Sequence, residues 1–380
     1  MASGKPLEGE VHCPKADVLQ GGPEIVDTIS EGWDAICAGN PDAQPFCRPE
    51  WTRAYCRAFA PKANLVLISA RVGARLSAVL PLIAEDTSFY GLPARKLTGA
   101  ASFFYQFDIA WGCPAEKESA MQAIWQGFKE LRDWDVIELP HIRQEAELGG
   151  LFSAAQMDGY LTGCRAVARS AFIPVAGWDG DPDYWLLRCS RHFRHTFRTA
   201  ARKVPSGAEL VLREVRTADE ASLRAFFDLE RSGWKGETGS AIDCDDTKRQ
   251  FFTDLAEAAA RAGYLSIYFL DLNGSPIAAH FGFALGRRYY TLKCAFDESY
   301  RACAPGHLIV NEILRDCARR EFLDLELGPT SEWKSKWTSQ SHPLAFLYIF
   351  RKGAYGRLLH SARFKLIAGV KRLLDGAGDR

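Results

Sequence analysis

The sequence has no long hydrophobic run and no excess of charge of either sign. No apolar stretch approaches the ~18 residues that a membrane-spanning helix needs. Lysine plus arginine and aspartate plus glutamate each total 47, so the formal net charge is zero. A general polyanion-binding protein is usually basic overall, so affinity for a nucleic acid or a membrane must come from a local patch. We therefore expect no DNA-binding function.

The sequence also lacks paired cysteines and a leader-like start. Its 11 cysteines form no CxxC pair, and its eight histidines make no ligand-spaced cluster with them. Dispersed cysteines need no explanation in a reducing cytoplasm. The first residues lack the basic-then-apolar order of a signal peptide. We expect a cytoplasmic protein without a metal site, and peripheral attachment to the inner membrane is left open.

The composition is that of a folded protein of more than one domain. The chain has 380 residues, of which 47% are hydrophobic and 25% charged. This length exceeds the range of about 100–200 residues for one domain. Residues 1–22 are rich in glycine, proline and charge and predict a flexible extension. A segment dense in glycine, aspartate and proline near residue 177 is the best candidate for a boundary.

Two parts of the chain share one order of predicted elements. In the first, strands 65–72 and 76–85 form a hairpin, and the helix 120–134 and the strand 135–142 follow; 170–175 is a further strand. In the second, strands 264–272 and 277–286 flank the turn Asn273-Gly274, and the strand 289–297, the helix 307–320 and the strand 322–328 follow. We expect a mixed α/β protein of two similar halves.

The most informative stretch is the strand, loop and helix over 289–320. Pro305-Gly306 closes the loop, and the helix start predicts free N–H groups at His307, Leu308 and Ile309. A helix N-terminus binds phosphate well, and Arg301 adds a charge-assisted contact. Ordinary turn punctuation before a helix is the alternative, and this stretch alone leaves both open.

Several motifs resemble one family. They are Phe296-Asp297, Tyr300, Pro305-Gly306, Leu308 and ELGPTSEWKSKW (326–337), with GWKGETGSAI (233–242), IAAHFGF (277–283) and PFCRPEWTRAY in the first half. Together they resemble the GNAT-fold acetyltransferases associated with cellulose biosynthesis (CelD-like), which are similar to Fem-type aminoacyl transferases in having two GNAT-like halves. The sequence departs from the family pattern at Glu326, Thr330, Trp333 and Cys303-Ala304, so acceptor specificity is not carried over.

The resemblance implies a tandem double GNAT-like fold with mixed central sheets. The expected parts are an N-terminal GNAT-like domain over 23–176, a C-terminal domain over 177–352 that binds acyl-CoA, and a basic amphipathic helix over 353–380. It also implies an enzyme, a GNAT-type N-acetyltransferase, that transfers an acyl group from acetyl-CoA or another acyl-CoA directly to an amine. The acceptor class stays open among small molecules, sugars and peptides.

The same resemblance assigns the acyl-CoA contacts. The pantetheine arm would lie beside the strand 291–297, whose backbone N–H polarises the thioester carbonyl in an oxyanion-type role. The cofactor-binding residues implied are Cys294, Phe296, Arg301, Pro305, Gly306, His307 and Leu308.

Three residues are candidates for proton transfer. His280 lies mid-strand with Ala278 and Gly282 on its face, and these small neighbours leave that face open for binding. A neutral imidazole there takes a proton from an attacking amine, although a strand histidine is often only a core residue. Glu230 is the second candidate base, and Tyr300 is a candidate acid for the leaving thiolate.

Four further residues are candidates for substrate binding. Trp234 and Lys235 enter a glycine-rich loop of the kind that covers substrates; a helix C-cap with an anchoring tryptophan is the alternative. Glu332 and Lys334 follow a strand end, where α/β sheets place ligands. A solvated charge run is the alternative for this pair.

The predicted helix 185–204 is strongly basic and has no acidic residue. Such a face suits an anionic partner, namely an acyl carrier protein, tRNA or a membrane surface, and a solvated helix paired with acids elsewhere remains open. The alternatives to the acyl-CoA enzyme are a Fem-type transferase that uses aminoacyl-tRNA and a non-catalytic accessory protein of exopolysaccharide or cellulose biosynthesis.

Overall fold

The fold is built on one large mixed sheet. The computed structural model describes residues 14–100, 106–143, 148–181, 183–233, 239 and 241–366. The strands are β1 Lys15–Gly21, β2 Asn64–Val72, β3 Arg75–Phe89, β4 Leu92–Gly99, β5 Ala110–Trp111, β6 Val136–Arg143, β7 Leu161–Pro174, β8 Leu210–Val215, β9 Leu265–Leu272, β10 Ser275–Leu285, β11 Arg288–Phe296, β12 Asp324–Pro329 and β13 Ser341–Phe350. Their spatial order is β1-β2-β3-β4-β6-β13-β7-β12-β11-β10-β9-β8, and β5 pairs with β3.

The helices cover both faces of this sheet. The described α-helices are α1 Ile25–Gly39, α2 Pro49–Phe59, α3 Lys117–Glu130, α4 Leu148–Met157, α5 Tyr184–Arg188, α6 Arg191–Ala201, α7 Glu220–Arg231, α8 Asp246–Arg261, α9 Pro305–Arg319, α10 Glu332–Ser335 and α11 Ala354–Ser361. Among the described residues, no helix is long and apolar enough to cross a membrane.

The sheet contains two strand–helix–strand units, one in each of the predicted halves. In the first, α3 connects β4 to β6, which pair in parallel. In the second, α9 connects β11 to β12, which also pair in parallel. In the first unit, α3 packs in one core and α1 in another. In the second unit, α9 packs in one core and α7 and α8 in another. Alternate residues of the strands contribute to the two cores of each unit. The predicted mixed α/β fold is confirmed.

The halves exchange strands at the centre of the sheet. Strand β13, at the end of the second half, lies between β6 and β7 and pairs with both. Strand β7, at the end of the first half, also pairs with β12. The sheet is therefore continuous across residue 177, where the glycine-rich segment suggested a boundary. Helix α2 of the first half packs on α8 of the second, with the rings of Trp51 and Phe251 5.3 Å apart.

Both hairpins are confirmed, and the second has the backbone that its sequence predicts. Asn273 and Gly274 have φ of +51° and +79°, the positive values that a two-residue hairpin turn requires at both central positions. The expected helix over 185–204 is instead two helices, α5 and α6. Ser190 separates them because its side chain accepts a hydrogen bond from the Phe193 N–H at 3.1 Å and caps α6.

The structure near each end of the described chain adds to what the sequence predicts. Lys15–Gly21, placed by the sequence in a flexible segment, forms β1 and pairs with β2 over its whole length. At the other end, Leu359 of α11 packs with Tyr348 and Phe350 in a small core. A short π-helical segment, Ala362–Leu366, follows. Residues 367–380 of the predicted basic helix lie outside the described residues.

Candidate active site

Strands β11 and β12 form a fork. They pair in parallel at three positions, from Arg288 with Asp324 to Tyr290 with Glu326. Beyond these pairs, β11 continues to Phe296 while β12 follows β7 with a register shift between Glu326 and Gly328. Gly328 has φ +74°, a backbone conformation that favours glycine. This turn directs β12 away from β11 and opens the sheet between them.

A cavity of about 300 Å³ lies at this fork. Its lining residues come from α7 and the loop after it, the end of β11, the start of α9 and the region of α10: Glu230, Gly233, Cys294, Ala295, Phe296, Glu298, Gly306, Ser331, Trp333 and Lys334. The wall is largely apolar, and its charged groups are the carboxylates of Glu230 and Glu298 and the ammonium group of Lys334. Such a combination binds an apolar chain and orients it by a few polar contacts.

Glu230 and Lys334 are held by backbone groups. Glu230 is 2% exposed, and its Oε2 accepts a hydrogen bond from the Ile242 N–H at 2.8 Å. The Lys334 Nζ donates to the Pro329 carbonyl at 2.7 Å. A Cβ at Gly328 would lie 4.0 Å from this Nζ, so the ammonium group sits where β12 turns away.

The N-terminus of α9 adjoins the cavity, but its free donors differ from those expected. The helix begins at Pro305, and Ala304, with φ +52°, precedes it. The His307 and Leu308 N–H groups, expected to be free, both donate to the Ala304 carbonyl, at 2.9 and 3.1 Å. Pro305 has no N–H, so the amide that this helix end offers to a ligand is that of Gly306, which lines the cavity.

His307 belongs to an aromatic cluster behind that helix end. Its ring stacks on Trp333, with centroids 5.0 Å apart, and its Nδ1 accepts from the Trp337 Nε1 at 2.9 Å. Burial, with a smaller effect from the charge of Lys336, lowers the pKa of His307 to about 4. The imidazole is neutral at pH 7 and fixes the position of Trp333 in the cavity wall.

Strand β11 carries a β-bulge beside the fork. Phe281 pairs with Lys293 and Gly282 with Thr291, so Leu292 is the extra residue. A Cβ at Gly282 would lie 2.5 Å from the Tyr289 hydroxyl and closer still to the Tyr290 carbonyl. Only glycine fits this close approach, and the bulge turns the following amides of β11 relative to the rest of the strand.

The expected opening beside His280 is absent. His280 is 1% exposed, and its Nδ1 lies 3.4 Å from the Thr291 hydroxyl. The space beside Gly282 is filled by Tyr289, whose hydroxyl donates to the Ser266 carbonyl at 3.2 Å. Small residues in the sequence thus marked a close packing contact and not a binding cleft.

The structure brings together five of the candidate site residues at the cavity: Glu230, Cys294, Phe296, Gly306 and Lys334. The remaining described candidates are not part of its lining. Pro305 is buried, Leu308 belongs to the core on which α9 packs, and Tyr300 packs against that core. The Arg301 side chain is 82% exposed and lies 3.8 Å from Glu298, and Glu332 is exposed. Trp234 and Lys235 lie outside the described residues.

A buried polar cluster at the centre of the sheet did not emerge as a group from the sequence. Arg143, at the end of β6, donates to Glu326 of β12 at 2.7 Å and to Gln106 at 2.5 Å. The His342 Nε2 of β13 lies 3.6 Å from the same Glu326 oxygen. Burial would raise the pKa of Glu326, but His342 and Arg143 outweigh it and hold that pKa below its usual value. The cluster sits where the fork begins, because Glu326 pairs with Tyr290.

These residues are distant in sequence, so no local motif joins them. The signal that the sequence offers is a charged residue within the apolar pattern of a strand. Glu326 interrupts the apolar pattern of its strand, and Arg143 ends another. A buried ion pair is costly unless its geometry is good, which makes such interruptions informative.

The comparison with known families gives a matching domain. Residues 191–335 match the model of the acetyltransferase (GNAT) domain. This range runs from α6 to α10 and contains the fork, the cavity and the start of α9. No curated protein matches the chain significantly.

Solved structures share the architecture over nearly the whole chain. FemX matches with a TM-score of 0.59 and 11% identity, over 91% of this chain and 99% of that chain. The C-terminal domain of a protein described as a lysylphosphatidylglycerol synthetase from Agrobacterium fabrum matches with a TM-score of 0.52 and 11% identity, over 89% and 96%. A tandem GNAT protein from the clavulanic acid biosynthesis pathway matches with a TM-score of 0.44 and 14% identity, over 89% and 100%. The first two of these matches, at 11% identity, concern the fold.

Proposed function

We propose that the protein is an N-acyltransferase that takes its acyl group, acetyl in the simplest case, from acyl-CoA and transfers it directly to an amine. The observation that carries the proposal is the cavity at the fork of β11 and β12, which adjoins the N-terminus of α9 inside the segment that matches the GNAT domain. The acyl-CoA would bind in residues 177–352, with the acceptor amine entering between the halves.

The fork offers a place for the thioester arm. The end of β11 extends beyond its last pair with β12, and the thioester arm would lie along it, between the two strands. Phe296 and Trp333 supply the apolar wall. The Gly306 amide and the positive end of α9 stabilise a phosphate group at the mouth.

The reaction needs groups for charge and for a proton. The amine nitrogen attacks the thioester carbon, the C–N bond forms, the C–S bond breaks, and the thiolate leaves. Backbone N–H groups near the bulge at Leu292 are the candidate donors to the developing oxyanion. Glu230, whose carboxylate lies in the cavity wall, is our candidate base for the amine proton. The departing thiolate takes up a proton from water or from the protonated Glu230.

Of the candidate bases, Glu230 is favoured over His280 by position, since His280 lies outside the cavity lining. Glu230→Gln retains an oxygen that can accept from Ile242. We expect it to lower kcat by about a hundredfold, the lower range for general-base catalysis. His280→Asn is the comparison variant. A loss of rate in His280→Asn with none in Glu230→Gln would reverse this assignment.

Thermal unfolding with acetyl-CoA, longer acyl-CoAs and CoA tests the donor. A ligand that binds only the native state stabilises it by about 2.7 kcal/mol at a hundredfold excess over Kd. In Gly306→Glu the carboxylate would enter the cavity, because a Cβ there already lies 3.6 Å from Phe296 and 3.8 Å from Trp333. We expect this variant to lose the shift. Gly39→Glu, at a position with nothing within 4 Å of a Cβ, is the matched control.

A shift that survives in Gly306→Glu would move the donor site away from the fork. No shift with any thioester would overturn the proposal and favour a donor such as aminoacyl-tRNA or a non-catalytic role. If a thioester does shift the midpoint, release of free thiol from acetyl-CoA in the presence of lysine, glucosamine or a short peptide would identify the acceptor class.

A further inference from the structure

Helix α6 presents a strongly cationic surface. Its residues Arg191, Arg194, Arg198 and Arg202, the last at its C-cap, form what we call the arginine face. Three of these arginines are exposed and Arg194 is partly so, while Phe193 and Phe197 of the same helix are buried in the core. The eleven residues of α6 give a face about 16 Å long at 1.5 Å per residue.

The helix that carries this surface packs against the start of α9. The Phe193 ring packs against His307 of α9 at 4.9 Å and against Trp337 at 5.2 Å between centroids. His307 lies in the first turn of α9 and stacks on Trp333, and Trp337 donates a hydrogen bond to His307. The aromatic contacts therefore hold α6, with the arginine face on its other side, against the helix end near which a thioester arm would enter.

Little of this charge is neutralised locally. From residue 184 to residue 203 there is no acidic residue. Arg198 pairs with Asp183, whereas Arg191 and Arg202 form no ion pair with a residue that the structure describes. Because the whole chain is neutral, this is a local concentration of charge and not part of a general basic surface.

We propose that the arginine face docks an acidic carrier protein that presents its acyl group on a phosphopantetheine arm. The inference rests on the proposed function, because CoA and such a carrier hold the thioester on the same arm. The diphosphate of CoA, bound at the α9 N-terminus, would engage only one or two cations. A charged face of this length is instead suited to an acidic helix of a protein partner lying along it.

The chemistry of the face favours a protein partner over RNA. Leu187, beside the arginine face, is 50% exposed, and the Arg194 Nη1 lies 3.4 Å from its carbonyl. An exposed leucine among arginines suits a protein interface with an apolar centre. The two phenylalanines of α6 are buried, and the exposed rings of this helix are the imidazoles of His192 and His195.

The test uses a fatty-acid-type acyl carrier protein bearing an acetylated phosphopantetheine arm. The double variant Arg191→Glu/Arg202→Glu reverses charge at both ends of the face. Arg224→Glu/Arg261→Glu, on α7 and α8 where these side chains are 71% and 73% exposed, is the matched control. Binding of the labelled carrier is measured at low and high salt, and kcat/KM is measured with acetyl-carrier and with acetyl-CoA.

We expect the face variant to bind the carrier at least tenfold more weakly and to lose kcat/KM with acetyl-carrier by a similar factor, with acetyl-CoA turnover and the control variant unchanged. Equal binding by the face variant and the wild type, or salt-dependent binding of a tRNA acceptor-stem oligonucleotide in place of the carrier, would overturn the inference. Failure of the wild type to use either thioester would instead overturn the proposed function, and the binding measurement would still decide whether the face docks a carrier.

Discussion

The two strand–helix–strand units of the sheet fork in the same way but differ in what fills the fork. In the first unit, β4 and β6 pair from Lys96 with Val136 to Thr98 with Glu138 and then separate. Phe107 lies in that gap: its N–H donates to the His141 carbonyl of β6 at 3.3 Å, and its ring lies beside Gly99, the last residue of β4. In the second unit, the corresponding gap holds the cavity of about 300 Å³.

The difference arises in the connecting segments. The segment between β4 and α3 includes the buried residues Phe107 and Ile109 and the short strand β5. Between β11 and α9 there is only a 3₁₀ turn over Glu298–Cys303 and Ala304. The bulge at Leu292 lies between β10 and β11, while β3 and β4 pair without a register shift. One strand arrangement can therefore serve as core or as binding site, depending on the loop.

The largest expected effect comes from removing the side chain that closes the first fork. Phe107 is 2% exposed, and Phe107→Ala should lower the free energy of unfolding by about 4 kcal/mol, because it leaves a cavity in a packed core. Chemical denaturation measures this. The comparison predicts that the acetyl-CoA shift of the folded variant is unchanged. Phe59→Ala, at a half-buried position on α2, should cost less, and a loss of thioester binding in Phe107→Ala would break the comparison.

The start of α9 should make the free energy of unfolding depend on pH, whereas the start of α3 should not. His307 has a pKa of about 4 in the folded protein, against 6.5 when exposed, chiefly through burial. A histidine whose folded pKa is lowered contributes its full stability above pH 6.5 and loses it as the pH falls toward 4. The loss is on the order of 3 kcal/mol. Helix α3, the matching helix of the first unit, begins at Lys117 and contains no histidine.

Stability against pH in the wild type and in His307→Gln measures the effect. We expect the variant to have a shallower decline between pH 6.5 and pH 4. His195→Gln, at an exposed position on α6, is the control and should follow the wild type. Identical curves for the wild type and His307→Gln would mean that His307 is not buried in its neutral form.

The smallest effect concerns two glycines of the second unit. Gly282→Ala should cost about 2 kcal/mol, since the added methyl group would have to displace the Tyr290 backbone or the Tyr289 hydroxyl. Gly306→Ala makes only ordinary contacts at 3.6 and 3.8 Å and should be neutral or stabilising by up to about 1 kcal/mol. Thermal unfolding of both variants is the measurement. Equal stability of the two would show that the bulge does not depend on Gly282.

Periodicity predicted the elements whose apolar patterns are strong, including both hairpins and helix α9. It did not predict the first part of β7, over residues 161–169, which are mostly exposed and have no regular alternation of apolar and polar residues. It also did not predict β13, although that strand is rich in apolar residues. Strand β1 was hidden for a similar reason, since it lies at the edge of the sheet and has only partly buried side chains.

For the candidate site, turn and helix-end signals in adjacent residues singled out the loop and helix at 289–320. Glu230 and Lys334 were candidates from their places at a helix end and after a strand end, and Cys294 and Phe296 were implied by the family resemblance. Only the tertiary structure decided that these residues meet at one cavity, that Tyr289 fills the space beside His280, and that Arg143 pairs with Glu326 across 183 positions. The exchange of β7 and β13 between the halves was also decided only by the tertiary structure. Such contacts depend on which strands become neighbours, and neighbour choice is set by the packing of whole faces rather than by any local pattern.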